Sequence, residues 1–258
     1  MLYAGIDIGS TAAKAVLMNE AKTEILDRKL MPSGWNSRDT ADELLSWLLS
    51  HDIKREEICV TATGYGRVSV PYADAALTEI TCHGKGAAFL GGPDLTVIDI
   101  GGQDTKIIFI KNSKVIDFIM NDKCSAGTGK FLEVMANRMG VTLPEFFNLA
   151  QSSTREIKIS SMCTVFAETE IVSLMGQGTP REDIANGAVG SVVAKVVVLA
   201  GRKASPNLNN NSKYYLTGGF CETDLMISKL AAALNSKVYS CPDARYAGAV
   251  GAALLGKK

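Results

Sequence analysis

The stretches DIGSTAAK at residues 7–14 and DIGGQDTK at residues 99–106 decide the fold, because one repeats the other. Asp, Ile, Gly and Lys occupy the same offsets in both, and the two copies lie 92 residues apart. Apolar runs flank each copy, and glycine with small polar residues separates those runs. This pattern predicts a β-hairpin with a tight turn in each half of the chain.

The residues of these turns suit a phosphate group. Glycine lets the backbone approach a phosphate closely, and successive amide groups in such a turn form an anion-binding concavity. An aspartate at the end of a strand can hold Mg²⁺, usually through water. A single DIG turn is an ordinary hairpin, whereas two matching copies favour duplicated lobes that bind a nucleotide.

Two further segments complete a resemblance to the superfamily of actin, the sugar kinases and the heat-shock chaperone ATPases. YLTGGF at residues 215–220 is similar to its adenosine segment, and YAGAVGAALL at residues 246–255 is similar to its closing helix. The resemblance implies an α/β fold of two ribonuclease-H-like lobes with ATP in the cleft between them. The implied lobes are residues 1–92 and 93–242, with residues 243–258 returning to the first lobe.

Composition and charge indicate a globular protein. Of 258 residues, 47% are apolar and 21% are charged, and Lys+Arg equals Asp+Glu at 27 each, which provides no electrostatic footprint for DNA or RNA. The chain does not begin with a signal-peptide pattern. The most apolar run, residues 189–200, contains Lys195 and is shorter than a membrane span. We therefore expect a cytoplasmic protein that binds neither nucleic acid nor membrane.

Two of the six cysteines lie just before predicted helices. Cys124 precedes a Gly-Thr-Gly turn and a helical pattern, and Cys163 precedes a helical pattern that begins at Thr164. The GTGK at residues 127–130 is not a Walker A loop, because that loop needs a glycine where Cys124 stands and a hydroxyl where Phe131 stands. The positive end of a helix dipole stabilises a thiolate, which is the form that binds metals and iron–sulfur clusters.

The segment around Cys163 has a predicted structure of its own. Residues 157–162 are predicted to be a short strand or an extended segment, and Met162 stands before the cysteine. From Thr164 onward we predict a helix whose apolar residues lie on or near one side: Val165, Phe166, Ile171, Val172 and Met175. A polar loop is predicted at residues 205–213.

The residues alone leave the role of the cysteines open. Two thiolates cannot complete the four cysteine ligands of a cubane cluster, although a two-fold dimer can, and an isolated cysteine is most often a small buried residue. No CxxC pair occurs, so a zinc ribbon is not supported. Four cysteines are interpreted as core or loop residues and not as ligands: Cys59, Cys82, Cys221 and Cys241.

The two cysteine segments, at residues 120–136 and 159–171, resemble the activator proteins of 2-hydroxyacyl-CoA dehydratases and the related ATPase subunits of benzoyl-CoA reductases. The similarity covers nearly the whole chain, including ATGYGR at residues 62–67. It implies an ATP-dependent electron-transfer activator, in which Cys124 and Cys163 bind one oxygen-sensitive 4Fe-4S cluster at the axis of a homodimer. The implied electron donor is reduced ferredoxin or flavodoxin, and the implied acceptor is a separate dehydratase or reductase.

With this resemblance, roles follow for the residues of the two turns. Asp7 and Asp99 help to hold Mg²⁺ or its waters, and Gln103 and Asp104 contact the γ-phosphate or orient the attacking water. For Asp104, a plain role in the hairpin turn is equally compatible. The predicted catalytic residues are Asp7, Gln103 and Asp104. Further predicted contacts to ATP or ADP are Ser10, Thr11, Ala12, Ala13, Lys14, Gly101, Gly102, Gly218, Gly219 and Gly248.

Other functions on the same fold stay open at this point. A sugar or acetate-type kinase would need an acidic base in the first lobe and would leave the two helix-start cysteines without a role. A cluster carrier or nucleotide-dependent scaffold would bind ATP without delivering electrons. A chaperone-like ATPase would need a peptide-binding domain beside the ATPase lobes.

Overall fold

A computed structural model describes residues 1–160, 163–201 and 213–257. Along these residues the strands are β1 (Leu2–Ile8), β2 (Ala12–Met18), β3 (Ile25–Pro32), β4 (Ile58–Thr63), β5 (Ala75–Ala76), β6 (Leu95–Ile100), β7 (Thr105–Lys111), β8 (Lys114–Asn121), β9 (Lys213–Gly218) and β10 (Val238–Tyr239). The helices are α1 (Ser37–Leu49), α2 (Glu79–Gly91), α3 (Gly129–Arg138), α4 (Leu143–Ser152), α5 (Thr164–Gly176), α6 (Arg181–Gly201), α7 (Asp224–Leu234) and α8 (Ala247–Leu255). Met162 and residues 205–212 of the predicted polar loop lie outside the described residues.

The strands form two five-stranded sheets that share one plan. The order is β3-β2-β1-β4-β5 in the first sheet and β8-β7-β6-β9-β10 in the second, so each sheet has its own first strand in the middle. In the first sheet β1 and β2 are antiparallel, with Asp7 opposite Lys14, while β1 and β4 are parallel. Each glycine turn therefore joins two neighbouring strands. This repetition confirms the predicted α/β fold with two ribonuclease-H-like lobes.

Both faces of the first sheet are covered by helices. On one face, alternate residues of β1 such as Ile6 and Ile8 pack with Leu44 and Leu48 of α1. On the other face, Val16 and Met18 of β2 pack with α8. Because side chains alternate along a strand, Asp7 points to the face that α8 covers.

The chain separates into two compact units. The first contains Met1–Val97, Ile108–Phe118 and Cys241–Lys258, and the second contains Ile98–Ile107 and Ile119–Ser240. The C-terminal residues from Cys241 onward thus belong to the same unit as the N-terminal residues. The lobe boundaries expected at residues 92 and 242 stay a prediction.

Helix α8 touches the backbone of its neighbours in the first unit. A side-chain carbon at Gly251 would lie 1.6 Å from the carbonyl oxygen of Cys82, and one at Gly86 would lie 1.9 Å from that of Ala247. On the sheet side, a side-chain carbon at Gly5 would lie 1.8 Å from the carbonyl oxygen of Ala249. Side chains at these three glycines would therefore push α2, α8 and β1 apart.

In the second unit, the longest helix is longer than the sequence suggested. The apolar run at residues 189–200 is part of α6, which has 21 residues and is long and apolar enough to cross a membrane by length and composition. The run alone is shorter than a membrane span, and the other residues of α6 supply the additional length. However, 67% of its most apolar window is buried inside the protein, as in the core helix of a soluble protein.

The surroundings of Cys163 also differ from the prediction in part. Helix α5 begins at Thr164, as predicted. Of the two structures predicted before it, no strand forms over residues 157–160, the extended segment stays a prediction, and residues 161–162 lie outside the described part. The apolar residues of α5 do not share one buried side. Ile171 is buried, whereas four others are exposed: Val165, Phe166, Val172 and Met175. Sequence periodicity identified the helix but not the side that packs on the protein.

We expect Gly251→Ala to destabilise the protein by about 3 kcal/mol or more, because the new methyl group would meet backbone that cannot move aside. Chemical denaturation followed by circular dichroism measures this change. The matched control is Gly190→Ala in α6, where a side-chain carbon would meet nothing within 4 Å. That control should be neutral or gain up to about 1 kcal/mol from helix propensity. Equal denaturation midpoints for Gly251→Ala and wild type would contradict the close contact.

Candidate functional site

The first glycine turn contains a buried carboxylate. Asp7 lies in β1 and is 6% exposed, and its Oδ2 is 3.8 Å from Lys14 Nζ across the hairpin. Two glycines lie against this carboxylate. A side-chain carbon added at Gly64 would lie 2.5 Å from Asp7 Oδ1, and one added at Gly248 would lie 2.6 Å from Asp7 Oδ2. A larger residue at either position would fill the space beside the carboxylate. The structure thus brings Gly248 to Asp7.

Hydrogen bonds fix the tip of the first turn. The Gly9 amide donates to the Ala12 carbonyl at 3.2 Å. The Ser33 hydroxyl donates to the Gly9 carbonyl at 2.6 Å, and the Ser33 amide donates to the Thr11 carbonyl at 3.0 Å. Ser10 and Thr11 are exposed at this tip. A fixed turn of this kind can present its backbone amides to an anion.

The second turn holds a denser cluster of charges. Lys106 is 2% exposed, and its Nζ lies 2.7 Å from Asp104 Oδ1 and 3.3 Å from Asp99 Oδ2. The Thr217 hydroxyl donates to Asp99 Oδ1 at 3.1 Å. Asp104 Oδ2 is buried and has no hydrogen-bond partner among the described residues. Because a buried carboxylate oxygen without a donor is costly, this atom fits a water molecule or a water bound to Mg²⁺.

The two glycines at the end of β9 have different surroundings. Gly218 has a φ of +85°, and a side-chain carbon there would lie 2.4 Å from the Ile100 carbonyl oxygen. At Gly219, a side-chain carbon would meet nothing within 4 Å. Gly219 lines a groove with about 870 Å³ of open space. Backbone packing therefore requires glycine at position 218, while Gly219 faces the groove.

This groove lies between α4 and the segment that leads into α7. Its walls include Phe147 and Asn148 of α4, together with Phe220, Glu222 and Asp224. The rings of Phe147 and Phe220 are 5.4 Å apart between centroids, at an angle of 52°. Aromatic walls with a few polar groups suit a flat heteroaromatic base such as adenine.

The segments that carry Cys124 and Cys163 are in contact. Cys163 is the residue before α5, and Cys124 precedes α3 by a short turn. The residues that follow the two cysteines, Ser125 and Thr164, are hydrogen-bonded through their hydroxyls at 2.8 Å. Both cysteines are free and half-buried. This bond holds the two cysteine segments together.

Hydrogen bonds also join the second glycine turn to the Cys124 segment. The first amides of a helix need acceptors outside the helix. Three bonds form the connection: Gly129 amide to Gly101 carbonyl at 2.9 Å, Lys130 amide to Gly102 carbonyl at 2.7 Å, and Thr105 hydroxyl to Gly127 carbonyl at 2.6 Å. The Asn121 side chain donates to the Cys124 carbonyl at 2.8 Å. The position of the Cys124 segment therefore depends on that of the glycine turn.

The four other cysteines have no such arrangement on the described part of the chain. Cys59, Cys82 and Cys221 are buried, and Cys241 is half-buried. Burial raises the pKa of the Cys82 thiol to about 11, although a hydrogen bond with Thr63 acts in the opposite direction. Cys82 therefore stays protonated at neutral pH, in the form that does not bind metal.

In metal-free protein, we expect iodoacetamide at pH 8 to modify Cys124, Cys163 and Cys241 much faster than Cys82. Because burial raises the pKa of Cys82 to about 11, its thiolate fraction at pH 8 is on the order of one in a thousand. Mass spectrometry of peptides from briefly labelled native protein measures the rates. Urea-unfolded protein serves as the control and should be labelled at all six cysteines. Fast labelling of Cys82 in the native protein would be inconsistent with its burial.

Comparison with known proteins assigns the chain to a family. The model described as the BadF/BadG/BcrA/BcrD ATPase family matches residues 4–256, nearly the whole chain. The chain belongs to this family. It is therefore an ATPase, and ATP and ADP are its nucleotides.

Similar proteins agree in sequence and in structure. The (R)-2-hydroxyglutaryl-CoA dehydratase activating ATPase of Acidaminococcus fermentans is 40% identical over 256 residues, covering 98% of this chain and 96% of the relative. The crystal structure of component A of that dehydratase matches with a TM-score of 0.91 at 38% identity, covering 99% of this chain and 97% of that one. The structure of the activator of the 2-hydroxyisocaproyl-CoA dehydratase from Clostridium difficile with bound ADPNP matches with a TM-score of 0.88 at 34% identity. The match covers 99% of this chain and 94% of that one. A ROK family glucokinase from Streptomyces griseus, with a TM-score of 0.62 at 16% identity and 99% coverage of both chains, shares the fold alone.

In this family member, the predicted site residues fall into groups. Within the first unit, the structure brings together Asp7, Lys14 and Gly248. Ser10 and Thr11 are exposed at the tip of the turn, Ala12 is half-buried and Ala13 is buried. Within the second unit, it brings together Asp99, Asp104, Gly101 and Gly218, while Gly102 is half-buried, Gln103 is exposed and Gly219 lines the groove. The functions assigned to these residues stay predictions.

Sequence reasoning missed three residues that build these sites. Lys106 belongs to the repeated motif, and its match to Lys14 in that motif could have marked it as a site residue. Its burial between two carboxylates is visible only in the structure. Ser33 and Phe147 gave no signal, because each is distant in sequence from the turn or groove that it contacts.

Proposed function

We propose that this ATPase activates a separate 2-hydroxyacyl-CoA dehydratase, or a related benzoyl-CoA reductase, by ATP-driven delivery of a low-potential electron. The observation that carries the proposal is the hydrogen-bonded connection between the second glycine turn and the Cys124 segment. An ATPase whose glycine turn is bonded to a pair of contacting cysteine segments has the parts needed to couple hydrolysis to redox chemistry. Relatives named as dehydratase activators support this role.

The group that best fits the cysteine pair is a 4Fe-4S cluster shared by two copies of the chain. One chain supplies two thiolates, from Cys124 and Cys163, and a second copy related by a two-fold axis would supply two more. Cys163 stands at the N-terminus of α5, where the helix dipole favours a thiolate. When bound, such a cluster supplies one-electron chemistry.

The exposed side of α5 supports a homodimer. Val165 and Phe166 are 66% and 67% exposed, and Val172 is 47% exposed. These residues follow Cys163 directly on the same helix. An exposed apolar surface beside half of a ligand set favours burial against an identical surface. We therefore assign this side of α5 to the dimer interface.

Each unit has its own groups for ATP. In the first unit, the exposed tip of the turn offers the backbone amides of Ser10 and Thr11, and Lys14 offers a charged donor for phosphate oxygens. In the second unit, the groove at Gly219 suits adenine. The unpartnered oxygen of Asp104 suits a water bound to Mg²⁺, and the metal would neutralise charge on the phosphates.

Coupling follows from the bonds of the second turn. A phosphate that binds to or leaves Gly101 and Gly102 would shift the carbonyls that hold the start of α3. Helix α3 is in turn bonded to α5, because Arg138 Nε donates to Glu168 at 2.8 Å. Both cysteine segments would therefore respond to the nucleotide. Reduced ferredoxin or flavodoxin would supply the next electron in the cytoplasm, where thiols stay reduced.

Anaerobic reconstitution with iron and sulfide tests the cluster. We expect one 4Fe-4S cluster per dimer, measured by iron and sulfide analysis, visible absorption and light scattering. Cys124→Ala and Cys163→Ala should each lose the cluster, because each substitution removes two of the four thiolates. Cys241→Ala is the matched control, since Cys241 is also half-buried, and should keep the cluster. An iron-free monomer that still binds ATP would refute the cluster and leave a nucleotide switch or a kinase.

Blocking the groove tests the adenine site. We expect Gly219→Trp to weaken ATP binding about tenfold or more, which corresponds to about 1.4 kcal/mol. The indole would occupy the groove, while the fold should tolerate it because a side-chain carbon at Gly219 meets nothing within 4 Å. Calorimetry measures the affinity, and Gly219→Ala should bind ATP as wild type does. Unchanged affinity in a folded Gly219→Trp variant would place adenine outside this groove.

A further inference from the structure

The two glycine turns share a backbone hydrogen bond but differ in the residue that accepts it. In the first turn the Gly9 amide donates to the Ala12 carbonyl, and in the second the Gly101 amide donates to the Asp104 carbonyl at 2.9 Å. Ala12 and Asp104 thus occupy equivalent positions. The first turn has a methyl group where the second has a carboxylate.

Each turn ends in a lysine, and the two lysines differ in exposure and in their carboxylate partners. The side chain of Lys14 is 20% exposed, and its Nζ is 3.8 Å from Asp7. The side chain of Lys106 is 2% exposed, and its Nζ lies between two carboxylates, 2.7 Å from Asp104 and 3.3 Å from Asp99. Lys14 is therefore loosely held and reachable, whereas Lys106 is committed to partners inside the protein.

The bond from Lys106 also makes the two oxygens of Asp104 unequal. Oδ1 accepts from Lys106, while Oδ2 is buried without a partner among the described residues. A side-chain carbon at Gly101 would lie 2.5 Å from Oδ1, so the backbone confines this carboxylate as well. The bond from the ammonium group fixes which oxygen is left for another donor.

We propose that the duplicated turns have divided their tasks: Lys14 contacts the phosphates of ATP, and Lys106 does not touch the nucleotide but positions Asp104 for hydrolysis. Lys106 is thus a positioning residue, and the inference rests on the ATP contacts proposed above for the two turns. Asp104, the carboxylate partner of Lys106, presents Oδ2 to a water molecule or to a water bound to Mg²⁺.

Matched substitutions of the two lysines separate these tasks. We expect Lys14→Met to weaken ATP binding about tenfold or more, because a charged hydrogen bond to phosphate is lost. Lys106→Met should change ATP affinity by less than about threefold but lower kcat about tenfold or more, as expected when an interaction matters only in the transition state.

A double-mutant cycle tests whether Lys106 acts through Asp104. In the Asp104→Asn background, adding Lys106→Met should change kcat by less than about twofold, because the partner is already gone. The double variant has the same net charge as wild type at this site, so it also serves if Lys106→Met alone does not fold. Independent, multiplicative losses in kcat would overturn the proposal.

Other results are equally decisive. Loss of ATP affinity in Lys106→Met that matches the loss in Lys14→Met would show that Lys106 binds phosphate, and would overturn the division of tasks. Wild-type kcat in folded Lys106→Met would do the same. If wild type itself neither binds nor hydrolyses ATP with Mg²⁺, the proposed function fails first, and that result is recorded before any variant is made.

Discussion

The first amides of α3 have no acceptors within their own helix, and the carbonyls of Gly101 and Gly102 accept two of them. This requirement ties the start of the helix to the turn between β6 and β7. Thr105 of β7 and Asn121 at the end of β8 hold the loop between them. The Cys124 segment is thus positioned by hydrogen bonds to residues at the ends of three consecutive strands of one sheet. The bond between Ser125 and Thr164 joins the segment of Cys163 to it.

The first unit depends on a different constraint, because glycines without side chains allow its helices and its central strand to pack backbone against backbone. Gly5, Gly86 and Gly251 let α8 touch both β1 and α2 through backbone atoms. The same close approach brings Gly248 against the carboxylate of Asp7, with Gly64 on its other side. Packing and site geometry therefore have one cause here, and the space beside Asp7 exists because these helices contain small residues.

Local features were predictable from the sequence, and features that depend on partners were not. The hairpins and the doubled fold follow from a short motif whose spacing repeats, and the helix starts after Cys124 and Cys163 follow from local periodicity. The exposed side of α5 and the full length of α6 were missed, because periodicity does not say what a residue packs against. Phe147 lines a groove with residues 219–225, and Ser125 bonds to Thr164. Both contacts join segments that are distant in sequence, so local sequence patterns do not predict them.

The unpartnered oxygen of Asp104 links the energetics of folding to those of binding. A buried carboxylate oxygen without a donor lowers the stability of the native state by roughly 1–3 kcal/mol, and a ligand that supplies the donor restores that free energy. Binding at this atom would therefore stabilise the second unit against unfolding as well as hold the ligand. A substitution that removed the carboxylate could make the protein more stable and less active at once, which sets a limit on how far stability can be increased at this turn.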